Sequence, residues 1–198
     1  RLVDFKPGTT EVVPALAKAL PEISADGLTY TFHLRDGVRF QDGTPFDATI
    51  VKFSLERALG PASTNVQKQA LSVIRQVEVV DPRTVRLRLS SPDSNLLYTL
   101  AWGDSVMVSP KSAGSLATAP LGTGPFRFAS WRRGDTVTLV RDEDYWGQPA
   151  KLRQVKFKFI ADPAAARRAA AAASPPYAGC CRSRMDARSR RWKAKPGW

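Results

Sequence analysis

The sequence predicts an α+β fold whose strands are joined mainly by hairpins. Three observations lead there. Strict apolar–polar alternation recurs at residues 28–35, 77–79, 85–89 and 155–159, the period of a half-buried strand. The pairs Asp26-Gly27, Asp36-Gly37 and Asp42-Gly43 punctuate the chain as tight turns. One stretch, 48–59, instead places Ala48, Val51, Leu55 and Leu59 three to four apart, the period of a helix.

The elements follow in order. Residues 12–20 contain Pro14, which is tolerated in the first helical turn, and so predict a short helical turn. Leu28, Tyr30, Phe32 and Leu34 share one strand face, and Thr29, Thr31, His33 and Arg35 share the other. Val38–Phe40 continues extended. Asp47 then reads as an N-cap, since its carboxylate can accept from the unpaired amides of the next turn. Pro61 stops that helix, and residues 64–76 predict a second one. Val77–Val79 and Val85–Leu89 flank Asp81-Pro82-Arg83-Thr84, which predicts a hairpin. Asn95–Ala101 predicts a short helix and Val106–Val108 a short buried strand. Gly122–Phe126 is a glycine turn. It leads into a hairpin of Phe126–Phe128 with Val137–Leu139 around Arg133-Gly134-Asp135. Val155, Phe157 and Phe159 mark a last strand.

Composition restricts the function classes. The chain has 198 residues, with 43% apolar and 24% charged side chains, enough to build a packed core. Its net charge of +12 is unevenly spread. Residues 164–198 hold nine Lys/Arg against one Asp, a balance of +8, while the first 163 hold 21 against 17, a balance of +4. A mildly basic body thus carries a basic, Ala/Arg/Pro-rich tail. A basic tail can bind phosphates by counterion release, so a basic-tailed nucleic-acid-associated protein is the alternative reading. The arginines lack the interleaved aromatics of a single-strand binder, and a solvated tail is the expectation. The chain opens on Arg1 with no signal-like segment, and no run reaches the ~20 apolar residues that span a bilayer. Cys180 and Cys181 are adjacent and confined to the tail, and two ligands do not close a zinc site. His33 is the single histidine and has no nucleophile or acid in pattern with it. No metal site, cofactor or catalytic constellation is expected, and the chain does not read as an enzyme. Gly122-Thr-Gly-Pro lacks the Lys-Ser/Thr ending and following helix of a phosphate loop, so it reads as a backbone turn.

Several phrases resemble the peptide/nickel class (family 5) of extracytoplasmic solute-binding proteins of ABC importers. The longest runs from Asp26 through Phe46 (DGLTYTFHLRDGVRFQDGTPF), and Val51–Arg57 (VKFSLER) follows it. Pro120–Phe126 (PLGTGPF), Asp144–Gly147 (DYWG) and Ile160–Pro163 (IADP) complete the set. The match covers residues 1–165. The resemblance implies part of a two-lobed periplasmic-binding-protein fold (type II, cluster C-like), with the second lobe absent. Residues 1–120 look like the accessory subdomain of the first lobe, and 121–163 like strands returning to that lobe's main sheet. Residues 164–198 depart from the family as an atypical tail, disordered or the product of a shifted reading frame. Leu20-Pro21 stands where the family usually has an aromatic residue, and Thr49-Ile50 where it has an acidic pair.

The resemblance also implies the biology. The longer relative would hold a peptide or a similar small solute, such as a nickel complex, and deliver it to a membrane permease. Its place would be the periplasm or another extracytoplasmic compartment, and no nucleic-acid partner is expected. A fragment with uncovered strand faces is expected to self-associate. The loop Trp102-Gly103-Asp104-Ser105 joins a short helix to the next extended segment, and by resemblance it lies near the cleft. An aromatic ring that stacks, a carboxylate that orients an amine and a flexible glycine suit a ligand wall, so these four residues are the candidate binding site.

Overall fold

The computed structural model describes residues 1–172. The chain divides into two compact units, one comprising Arg1–Ser130 with Thr138–Val155, the other Trp131–Val137 with the chain from Lys156 on.

In the first unit, strands β1 (Val3–Phe5) and β2 (Val12–Pro14) form an antiparallel pair. The helical turn predicted over 12–20 is not formed. Val12–Pro14 pairs with β1, and Pro14, which has no amide to offer a ladder, ends the strand opposite Val3. Pairing with a distant segment has overridden the local helix signal.

A four-stranded antiparallel sheet in the order β3-β4-β6-β5 carries the main core. Its members are β3 (Glu22–Ile23), β4 (Thr29–His33), β5 (Ile74–Asp81) and β6 (Thr84–Leu89). The alternation read from the sequence is realised: Tyr30, Phe32 and Leu34 are buried while His33 is exposed. The glycines of the three Asp-Gly turns adopt left-handed φ values of 69°, 71° and 82° at Gly27, Gly37 and Gly43, a region nearly closed to other residues.

Helix α1 (Ala48–Leu59) buries Ala48, Ile50, Val51, Ser54 and Leu55. Asp47 caps it, accepting from the Thr49 and Ile50 amides at 2.9 and 3.1 Å. The helix predicted over 64–76 shrinks to one turn, α2 (Lys68–Leu71), because the chain from Ile74 is taken up by β5. Helix α3 (Leu96–Ala101) adds Leu96 and Leu100 to the core, beside Phe32, Phe46, Leu55 and Leu87. Each such side chain contributes about 1.5–3 kcal/mol on burial. Val106–Val108 is extended but pairs with no strand. The Val108 amide is satisfied by the Ser54 hydroxyl at 2.8 Å instead of by a ladder.

Strands β7 (Phe126–Arg132), β8 (Thr136–Arg141) and β9 (Gln154–Lys158) form a three-stranded sheet in the order β7-β8-β9. Within the first unit, Arg127 on β7 pairs with the buried Asp142 at 2.6 Å and with Asp144 at 2.9 Å. Both carboxylates hold the guanidinium firmly protonated.

In the second unit, Gly134 (φ 76°) turns the chain between β7 and β8, and Arg133 stacks over Trp131 at 5.2 Å. Helix α4 (Pro163–Ala172) is capped by Asp162, whose carboxylate accepts from the Ala164 and Ala165 amides at 3.0 and 2.9 Å. Pro at the first helical position and a run of alanine account for its formation. The rest of the expected tail, including Cys180 and Cys181, lies outside the described residues.

Candidate functional site

The loop Trp102–Ser105 leaves the end of α3, and its residues face different surroundings. The Trp102 ring is half exposed and tilts against Tyr98 at 6.2 Å, which in turn meets Phe5 edge-on at 4.8 Å. A three-ring ladder therefore runs from β1 to the loop. Ser105 is buried, and its hydroxyl donates to the Thr99 carbonyl at 3.0 Å, which holds the loop to the last turn of α3.

Gly103 and Asp104 line a cleft of about 560 Å³ together with Arg57 and the segment Gly60–Val66; Trp102 and Ser105 do not line it. The Asp104 carbonyl accepts from the Asn65 side chain at 2.9 Å, tying the two loops together. Arg57 makes no ion pair among the described residues, and it and the exposed Asp104 both line the cleft. Sequence reasoning missed the 60–66 wall. In the sequence Pro61 reads as a helix stop and Thr64-Asn65 as the start of a second helix, so the small and polar stretch Pro61-Ala-Ser-Thr-Asn65 carries no sign of a cleft wall.

A second cleft, of about 790 Å³, lies in the same unit and shares Val106 and Val108 with the first. Gln41 and the turn Gly122–Phe126 form part of its wall. The Gln41 side chain donates to the Gly124 and Phe126 carbonyls at 3.2 and 2.9 Å and accepts from the Gly122 amide at 3.3 Å. The Gln41 amide adds a bond to the Gly122 carbonyl at 3.0 Å. The Trp146 indole N–H donates to the Thr123 carbonyl at 2.9 Å, and Arg35 stacks over that indole at 5.2 Å. The turn runs directly into a strand, so no helix dipole supports phosphate here.

His33 lies 3.3 Å from the Thr84 hydroxyl and 3.6 Å from Glu22, on the exposed face of the sheet. Among the described residues no cluster of three or more His, Cys, Asp or Glu side chains could hold a metal ion. No helix among them is long and apolar enough to cross a membrane.

These features define the class of protein. Solved structures of two-lobed periplasmic binding proteins share this fold. The Helicobacter pylori ABC transporter-associated periplasmic binding protein DppA, in complex with peptide STSA, aligns with a TM-score of 0.77 and 33% identity. It covers 86% of this chain and 38% of its own. Among curated proteins, the glutathione-binding protein GsiB of Escherichia coli O1:K1 / APEC is 38% identical over 146 residues, 71% of this chain and 28% of the relative. Heme-binding protein A of Haemophilus influenzae is 35% identical over 189 residues, 82% of this chain and 34% of the relative. The family described as bacterial extracellular solute-binding proteins, family 5 Middle, matches residues 11–174. The chain belongs to that family, and it spans about a third of the length of the curated relatives it matches. The fold is thus α+β and part of the two-lobed binding-protein architecture. The family is one of solute-binding proteins and not of enzymes, and these relatives lend no support to the nucleic-acid alternative.

Proposed function

We propose that this chain is part of the solute-binding component of an ABC importer for peptides or similar small solutes, and that the Trp102–Ser105 loop forms part of the solute wall. The observation that carries this reading is the cleft shared by Gly103, Asp104 and Arg57, in a chain whose family binds extracellular solutes. A carboxylate and a guanidinium on one wall suit a zwitterionic ligand, because each end of a peptide or amino-acid-like solute finds an opposite charge. The half-exposed Trp102 ring, on the same loop but outside this cleft, offers a separate stacking surface. Residues 1–120 act as the accessory subdomain of the first lobe, and 121–163 as strands of its main sheet. Residues 164–198 stand apart from the family as a tail. The whole protein works outside the cytoplasm, in the periplasm or cell envelope, and passes its solute to a membrane permease.

The named relatives bind glutathione, heme and a peptide, so the shared feature is solute capture between lobes, with no bond chemistry. One wall gives little enclosure, so the isolated chain binds solute weakly. The direct test is a chimera in which residues 1–163 replace the matching region of a GsiB-type relative. The folded chimera is expected to bind a peptide-class solute, with Asp104→Ala weakening it about tenfold, the scale of one lost charge-assisted hydrogen bond. A folded chimera that binds no solute of this class sinks the reading. The isolated chain is further expected to self-associate through apolar residues such as Phe157 and Phe159, each about half exposed. Light scattering that shows a clean monomer would refute that part.

A further inference from the structure

The turn Gly122–Phe126 surrenders every one of its carbonyls. Gly122 accepts from the Gln41 amide, Thr123 from the Trp146 indole, Gly124 and Phe126 from the Gln41 side chain, and Pro125 from the Asp142 amide. Both hydrogens of the Gln41 carboxamide and its oxygen are used in this way. The turn's N–H groups are treated differently. Gly122 donates to Gln41 and Pro125 has no N–H, while the amides of Thr123 and Gly124 have no acceptor among the described residues. Both residues line the cleft of about 790 Å³. A Cβ built on Gly124 would meet no atom within 4 Å, so the approach to this turn is open.

Both amides keep their donor capacity free of the protein's own acceptors and face an open approach, so an incoming acceptor can reach them. With the carbonyl dipoles all bonded to the protein, the turn presents donors only. A carboxylate has two oxygens that accept hydrogen bonds, so it can take a bond from each of two neighbouring donors. The cleft adds an apolar lining that includes Leu16, Met107, Leu121 and Leu139. Its one lining guanidinium, Arg1, is already engaged by Asp4 at 3.0 Å and by the Ala101 carbonyl at 2.8 Å. Recognition would therefore run through the backbone and suit a single charge on an apolar body.

We propose that the Thr123 and Gly124 amides are a receptor for the carboxylate of a small apolar acid entering this cleft, with Gln41 as the positioning residue that holds the turn. Gln41 touches the turn and acts through it. The site is distinct from the Trp102–Ser105 loop, so the two proposals stand or fall separately.

The test is amide NMR on the full 198-residue chain, titrated at fixed ionic strength with isovalerate and, in parallel, with its neutral isostere isovaleramide. Isovalerate is expected to shift the Thr123 and Gly124 amide resonances saturably. The neutral amide is expected to bind about fivefold more weakly, the difference between charged and neutral acceptors. Gly124→Ala places a methyl group in open space, so it should weaken isovalerate binding while leaving the Trp146 indole resonance unchanged. Gln41→Leu removes three side-chain bonds and should lower affinity by about tenfold together with the acid-over-amide preference, which a purely structural role would not alter. Unmoved Thr123 and Gly124 resonances, with the Trp146 indole signal showing an intact turn, would overturn the proposal, as would equal binding of acid and amide.

Discussion

The Ser54 hydroxyl on α1 accepts a hydrogen bond from the Val108 amide at 2.8 Å and donates to the Ile50 carbonyl at 2.7 Å. Both residues are buried. One helix side chain thus replaces the strand partner that Val106–Val108 lacks, and it anchors the segment that walls both clefts.

Ser54→Ala is expected to destabilise the chain by about 1–3 kcal/mol, because the Val108 N–H would stay buried with no acceptor. Urea denaturation measures this directly. A loss under about 0.5 kcal/mol would mean that the Val108 amide finds water or another partner.

Asp47 holds two of the first amides of α1. Asp47→Ala should cost about 1 kcal/mol, and Asp47→Ser should recover most of it, since serine also caps. Thermal melts of the three proteins discriminate. Equal loss in both variants would show that the cap geometry is not what stabilises the helix.

Acid should destabilise the chain through its turn carboxylates. The hydrogen bond and charge of Lys18, with Arg83 behind it, hold the Asp36 carboxyl below its usual range. Asp81 is lowered by the Arg83 amide and the Thr84 hydroxyl, and Asp26 by the Ser24 hydroxyl and the Leu28 amide. A depressed folded value means that the unfolded chain binds protons first. The contribution is therefore complete above about pH 4 and lost as pH falls through the folded values. These groups are exposed, so the effect is modest and shrinks in salt. Melting temperature should fall between about pH 4 and pH 2, and Asp36→Asn should flatten that slope. An unchanged slope would show that Asp36 takes no part in it.

Much of the fold was legible locally. The alternation of Leu28–Leu34 reports which face is buried because a strand's side chains point to opposite sides. The 48–59 spacing and Asp47 report a helix and its start because both are properties of a single turn. Asp-Gly pairs report turns because only glycine adopts their φ cheaply. Where the reading failed, a distant segment decided. Pro14 sits in a strand because β1 pairs with it, and Val106–Val108 is not a strand because Ser54 satisfies its amide. The candidate loop could be named from the residue types and family resemblance of Trp102–Ser105. Its companion wall at 60–66, and the inward turn of Ser105, could not.

By itself the sequence determined the family, through an ordered set of phrases, and the local elements, through periodicity and turn chemistry. Both rest on neighbours along the chain. Only the tertiary structure decided which loops share a cleft and how Gln41 consumes the carbonyls of a turn more than eighty residues away. Such bonds depend on distances that no local pattern encodes, because they exist only once the core has brought remote segments together.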